Sequence, residues 1–269
     1  MKTLLKILLI GILTTAFRII GQLIIPPGTQ SILLPSIFVS NGTMPIAFTI
    51  YGIFAYSLIA ALFLLIRNKM SGNKIMQGIK FGISCCVIWG AYLLEPLPHA
   101  APIDRITYPL VDGAALLVMG LLLGVLLGRK SNYSKADHKI INFVLPVAAI
   151  TVLFVAGRLI QYFLFDIYSS FQTKTAETVL WGIGTGFAVA CSLAWLSQYI
   201  AYKSKFQQAC LLGLVLFGVD LTLFNFFIPL VFNFDVLDLI IRTVIDILFV
   251  SLGCLFFMEI KPRPERLRA

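Results

Sequence analysis

Stretches of about twenty predominantly apolar residues follow one another along almost the whole of this 269-residue chain, separated by short polar turns. At 1.5 Å per residue, a helix of that length matches the roughly 30 Å hydrocarbon core of a bilayer. Eight such segments are legible, at about 4–25, 45–66, 76–95, 105–128, 141–165, 178–202, 206–232 and 238–258. Backbone polar groups cannot stay unpaired in hydrocarbon, so each segment is expected to be α-helical. The expected fold class is therefore an all-α polytopic membrane protein with eight transmembrane helices. Charged residues make up only 12% of the chain, about half the share in a soluble domain. No stretch is long enough for a separate soluble domain.

Composition also excludes chemistry. The five cysteines (Cys85, Cys86, Cys191, Cys210, Cys254) lie in apolar segments without zinc-ligand spacing. The two histidines, His99 and His138, fall in expected loops, whereas haem or di-iron sites need several at helical spacing. No lysine sits deep in a span, which argues against a retinal Schiff base. No cofactor and no metal are expected. Lys2 and Lys6 followed by an apolar run resemble a signal peptide. The run lacks a small-x-small cleavage site and is long enough to span, so it is expected to stay as the first helix.

Basic residues set the orientation. Sixteen of the twenty-one Lys and Arg fall on one side of an eight-span chain. They lie before the first span, around Arg67–Lys80, in the 129–140 loop, at Lys203 and Lys205, and in the 261–269 tail. The opposite side holds Glu95, Asp104, Asp166, Glu177, Asp235 and Asp238. The positive-inside rule then places both termini in the cytoplasm, in a plasma or bacterial inner membrane. The net charge of +9 follows from topology and anionic headgroups, so the lipid bilayer is the expected partner and no nucleic acid is needed. Oligomeric state is not legible.

The chain also reads twice. Arg18-Ile-Ile-Gly-Gln matches Arg158-Leu-Ile-Gln-Tyr, and Tyr51-Gly-Ile-Phe matches Trp181-Gly-Ile-Gly. Lys74-Ile-Met-Gln-Gly matches Lys205-Phe-Gln-Gln-Ala, and the Asp104/Asp112 pair matches Asp238/Asp246. Four matches in one order suggest two parallel four-helix repeats, because an even number of spans inserts each copy in the same direction. The expected domains are a first repeat at 1–128, a basic cytoplasmic linker at 129–140, a second repeat at 141–260 and a basic tail at 261–269. The first outer loop, about 26–44, carries no charge. It is expected either to lean on headgroups or to dip into the protein as a re-entrant segment.

Arg18 and Arg158 fall in the outer half of their spans, and so do Asp112 and Asp246. An isolated charge at the centre of a span costs about 2.5–3.5 kcal/mol on insertion scales. Pairing is expected, as Arg18 with Asp112 and Arg158 with Asp246, or crossed between halves. Arg242 lies i,i+4 from Asp246 and is a candidate to share it. Asp104 and Asp238, at helix starts, are expected as N-terminal caps, and Glu95 before Pro96 as a solvated helix end. Asp220 is expected near the centre of the seventh span, aligned with Trp89; it is a candidate proton or cation site, or else is held by a hydrogen bond or ion pair to a neighbouring helix, with Arg158 one candidate partner.

Three classes of function stay open. The first is a transporter of a small anionic or lipid-like solute, with Arg18, Gln22, Arg158, Gln161, Asp220 and Arg242 as the substrate-binding set. The second is a non-catalytic scaffold, sensor or accessory subunit held by Arg–Asp pairs. The third is an intramembrane enzyme acting on a lipid or isoprenoid, for which Glu95, His99, Asp104 and Asp112 would need to meet. No nucleophile–base motif marks catalytic residues.

Overall fold

The computed structural model describes residues 2–25, 28, 30–68, 70, 72–129, 143–199 and 204–257. The expected linker beyond Arg129, the 261–269 tail and His138 lie outside the described residues. The described residues form helices without a strand. These are α1 (Lys2–Ile24), α2 (Ile37–Ser40), α3 (Met44–Ile66), α4 (Lys74–Leu93), α5 (Asp104–Leu127), α6 (Val144–Leu164) and α7 (Thr175–Ser197). A segmented helix follows, made of α8 (Lys205–Ala209), a π-helical stretch Cys210–Phe217, α9 (Gly218–Asn225) and α10 (Ile228–Val231). The last helix is α11 (Val236–Cys254).

Among the described residues, seven helices are long and apolar enough to cross a membrane: α1, α3, α4, α5, α6, α7 and the segmented helix over Phe206–Val231. The protein is an integral membrane protein by that measure. α11 packs along α6. Its Arg242 and Asp246 are buried, so its charge is turned inward.

The helices before and after the linker share one neighbour order. α1 packs against α3 and α5, and α4 against α5; α6 packs against α7 and α11, and the segmented helix against α11. The two groups meet where α4 lies on α7 and where α3 meets α9 and α10. Large aliphatic side chains remain exposed along the outer faces, for example Ile46, Ile50 and Phe54 at i,i+4 spacing on α3, as lipid contact requires.

The loops α1–α3, α4–α5, α6–α7 and the one before α11 gather at one end, which carries Glu95, Asp104, Asp166, Asp235 and Asp238. Lys6, Arg67, Lys74 and Arg129 gather at the other. We call these the acidic and basic ends. The uncharged first loop packs on the end of the segmented helix. Its backbone docks on α10 and the residues just after it: Ser36 N–H donates to Val231 O at 3.0 Å and Asn233 N–H to Leu34 O at 2.8 Å. The Ser36 hydroxyl donates to Leu230 O at 2.7 Å. An apolar loop can lie there because neighbouring backbone satisfies its polar groups.

Helices α4 and α5 approach most closely, through Gly78, Gly82, Gly120 and Gly124. A Cβ on Gly82 would lie 2.7 Å from Leu116 O, and one on Gly124 would lie 2.6 Å from Ile75 Cα. Two small-x-x-x-small faces thus bring the backbones together, which favours helix association where lipid removes the hydrophobic drive. Of the glycines Gly182, Gly184 and Gly186 on α7, whose lack of a side chain suits close helix approach, the first two have open space around their Cβ positions, whereas a Cβ on Gly186 would lie 3.2 Å from Thr151 O on α6. Gly82→Leu should destabilise the protein by about 1–3 kcal/mol through overpacking, whereas Gly184→Leu should be near neutral; thermal unfolding of the two variants in one detergent checks the contrast.

Candidate functional site

The ionisable side chains inside the bundle form two clusters and one solitary group. In the first cluster Arg18 on α1 meets Asp112 on α5. Its Nε donates to Asp112 Oδ1 and its Nη2 to Oδ2, both at 2.6 Å. The two are 5% and 1% exposed. Rings close over the guanidinium: Phe227 at 4.1 Å, Phe48 at 5.0 Å and Trp89 at 5.7 Å from Cζ. A bidentate pair cuts the desolvation cost of both charges, and the ring faces add cation–π attraction. Nη1 and the Tyr56 hydroxyl remain buried without a hydrogen-bond partner.

The second cluster is larger. Arg158 Nη2 on α6 donates to Asp246 Oδ2 on α11 at 2.7 Å. Gln161 Nε2 donates to Asp246 Oδ1 at 2.7 Å, and the Tyr92 hydroxyl to Oδ2 at 3.0 Å. Glu95, at the end of α4, enters from the other group of helices. It accepts Arg158 Nη1 at 3.4 Å and Arg242 Nη1 at 2.9 Å. Two arginines and two carboxylates therefore form a neutral quartet, with Tyr92, Phe154 and Trp181 against Arg158.

Three sequence expectations are corrected here. Glu95 is not a solvated helix end, because its two arginine partners bury it to 5% exposure. Arg242 turns to Glu95 and to Tyr168 O, not to Asp246, because Arg158, Gln161 and Tyr92 already occupy that carboxylate. Asp104 and Asp238 do not cap their own helices. Asp104 accepts Gly28 N–H at 2.9 Å, and Asp238 accepts Tyr168 N–H at 2.9 Å. Each holds the loop that follows the first helix of its own group, and Asp235 caps α11 instead.

Asp220 is the solitary group. It sits on α9, directly after the π-helical stretch, and is 2% exposed. Trp89 Nε1 on α4 donates to its Oδ1 at 3.1 Å. Its Oδ2 is buried without a partner, and no ion pair reaches it among the described residues, so it does not meet Arg158. Thr222 and Asn225 turn elsewhere, to Gly218 O and to the Thr243 hydroxyl. Gln22 is half-buried and away from the Arg18–Asp112 bonds.

At the acidic end, His99 Nδ1 and the Tyr168 hydroxyl share a hydrogen bond at 3.1 Å, and the His99 ring packs on Phe232. Burial holds the His99 imidazole below its ordinary pKa, so it is neutral near pH 7. Glu95, His99, Asp104 and Asp112 are each engaged with different partners, and the structure does not assemble them into one reactive site. A cleft of about 310 Å³ nearby is lined by Leu33, Asp166, Tyr168, Asn233, Phe234, Asp235 and Asp238. No group of three His, Cys, Asp or Glu among the described residues could hold a metal ion.

Sequence reasoning missed Glu95, Tyr92 and Trp181 as parts of the second cluster. The Glu95–Pro96 step was the signal available, since an acid at the last turn of an apolar helix has little reason to be there unless it meets a cation.

Asp112→Ala should destabilise the protein by about 3–5 kcal/mol, because it strands a buried arginine. The Arg18→Met/Asp112→Leu double variant should recover most of that loss. A double-mutant cycle on unfolding midpoints reads the coupling, and independent effects would rule out an energetic pair. Glu95→Gln should loosen the acidic end: faster deuterium uptake over 94–103 and 165–174, with the basic end unchanged.

Comparison of the chain with protein-family models, with curated proteins and with solved structures finds no match.

Proposed function

We propose that the protein is a membrane transporter in which two parallel four-helix repeats, 1–128 and 141–260, move against each other around a proton site at Asp220. On this reading α11 is an eighth span, the basic end is cytoplasmic and the acidic end faces outward.

Asp220 carries the proposal. A mid-helix carboxylate with one indole partner, no cation and one unsatisfied oxygen is costly in a membrane interior, and such groups mark ion and proton pathways. It also follows a π-helical break at the contact between the two groups of helices. Interrupted helices at a repeat interface are where transporters place coupling-ion sites.

Matched contacts support the repeat. Arg18–Asp112 is mirrored by Arg158–Asp246. Asp104 holds Gly28 and Asp238 holds Tyr168, each ten residues after its arginine. The Tyr51 hydroxyl donates across to Leu223 O at 2.8 Å, and Trp181 Nε1 across to Ala91 O at 2.8 Å. Trp89 and Asp220, which align, touch each other. Two equivalent positions can touch only near the axis that relates the copies, so Asp220 lies near that axis. A site there moves least when the repeats rock, and it can open to each side in turn.

The arginines serve as anchors in this scheme, since an anion reaching Arg18 or Arg158 must first displace a carboxylate. A small anionic or lipid-like solute carried with one proton would pass Asp220 without net charge. Asp220→Asn should abolish proton entry into pyranine-loaded proteoliposomes driven by an inward pH gradient, with potassium and valinomycin holding the potential at zero. It should also remove a pH-dependent change in tryptophan fluorescence that Trp89→Phe removes as well. Wild-type proton entry and fluorescence in Asp220→Asn would sink the coupling role. The full encasement of both Arg–Asp pairs favours a second reading, a rigid scaffold or accessory subunit, for which neither protein would pass protons.

A further inference from the structure

We infer that the basic end carries a binding site for the phosphate of an anionic phospholipid, formed by Arg67 and Arg129 over the C-terminal end of α5. It stands independently of the transport reading.

The end of α5 collects cations. Lys6 Nζ from α1 donates to Leu126 O at 2.9 Å, and Arg67 Nη1 from the end of α3 donates to Leu127 O at 2.8 Å. Free carbonyls and the negative end of the helix dipole explain this much. They do not explain Arg129. Its backbone is pinned two residues beyond, where its N–H donates to Gln77 Oε1 at 3.2 Å. Gln77 is itself buried and donates to Met70 O at 2.9 Å. Arg129 is thereby fixed beside Arg67. Burial and then the neighbouring Arg129 charge both lower the basicity of the Arg67 guanidinium. Arg67 Nε is buried without a partner.

Neighbouring guanidinium groups repel, and among the described residues no carboxylate offsets these two. Among the described residues no Asp or Glu lies at this end; Asp137, Glu259 and Glu265 fall outside the described residues. A phosphate does offset them, because its oxygens accept paired N–H donors from arginine in the guanidinium plane. The surroundings favour a lipid over a soluble phosphate. The site sits at the ends of membrane-length helices, within a turn or so of Leu4, Leu65 and Val125, which are 70%, 53% and 57% exposed. A headgroup bound there would lay its acyl chains along those side chains. Juxtamembrane arginines on a negatively charged leaflet act in this way.

The test uses full-length protein in nanodiscs of phosphatidylcholine with increasing phosphatidylglycerol. Lipid retention by native mass spectrometry and the thermal midpoint are both measured. Phosphatidylglycerol should be retained in preference and should raise the midpoint. Arg129→Gln should weaken retention by about fivefold while leaving the midpoint in pure phosphatidylcholine unchanged, because only its backbone is bonded. Arg67→Gln should weaken retention similarly. Lys2→Gln/Lys205→Gln removes two charges of the same sign elsewhere at this end and should have little effect. Equal loss in that control would show diffuse surface charge and overturn the site. Stabilisation by millimolar inorganic phosphate in phosphatidylcholine alone would overturn the lipid assignment in favour of a soluble anion.

Discussion

The rest of the structure depends on how the buried charge is neutralised. Arg18, Arg158 and Arg242 lie inside a bundle whose exterior is almost wholly aliphatic, and each meets a carboxylate at 2.6–2.9 Å. Removing either partner of such a pair leaves a charge in low dielectric, and that loss exceeds what the pair itself contributes. The pairs therefore act as constraints on arrangement more than as sources of stability. Arg18–Asp112 fixes α1 against α5, and Arg158–Asp246 fixes α6 against α11. The helices between them fill in around those two anchors, with glycine faces letting α4 and α5 close up where no charge helps.

Glu95 changes the character of the second cluster. Without it, the second cluster would hold two arginines, Arg158 and Arg242, against the single carboxylate of Asp246. With it, Arg158 and Arg242 on one group depend on a carboxylate from the other. The acidic end is tied further by His99 on Tyr168 and by the first loop on Leu230–Asn233. Toward the basic end Lys80 Nζ on α4 lies over the Tyr199 ring that follows α7, 5.4 Å from its centroid.

Much of this was legible from residues that conflict with their surroundings. An apolar run of helical length announces a span, and an arginine or aspartate inside one announces a partner at the same depth; Arg18, Asp112, Arg158 and Asp246 stand out for that reason. What stayed hidden had no local conflict. Glu95 reads as an ordinary acid at a helix end, and its bond to Arg242 spans 147 positions of sequence. The docking of the first loop runs through backbone groups, which every residue carries, so no side-chain pattern reports it. Gly182 and Gly184 look like packing positions but face open space, since a small residue permits close approach without requiring it. Asp104 and Asp238 show a related ambiguity: an acid at a helix start suits both its own helix and any free N–H nearby, and here a neighbouring loop takes it.

Asp220 and Trp89 turn this limit into information. Taken singly, each has an unremarkable explanation, an indole in a core and a carboxylate with a donor. Taken as aligned positions in two copies of one plan, they must be near neighbours of the axis if they touch, and they do, at 3.1 Å. At such a position identical residues would face each other, and two carboxylates would repel while two indoles would crowd. One donor against one acceptor avoids both problems and makes the contact directional. The remaining carboxylate oxygen is buried without a partner, beside a helix already widened to π geometry. A bundle that satisfies its other intramembrane carboxylates through partners on separate helices, yet leaves this one short, has its least stable charge where its two parts meet.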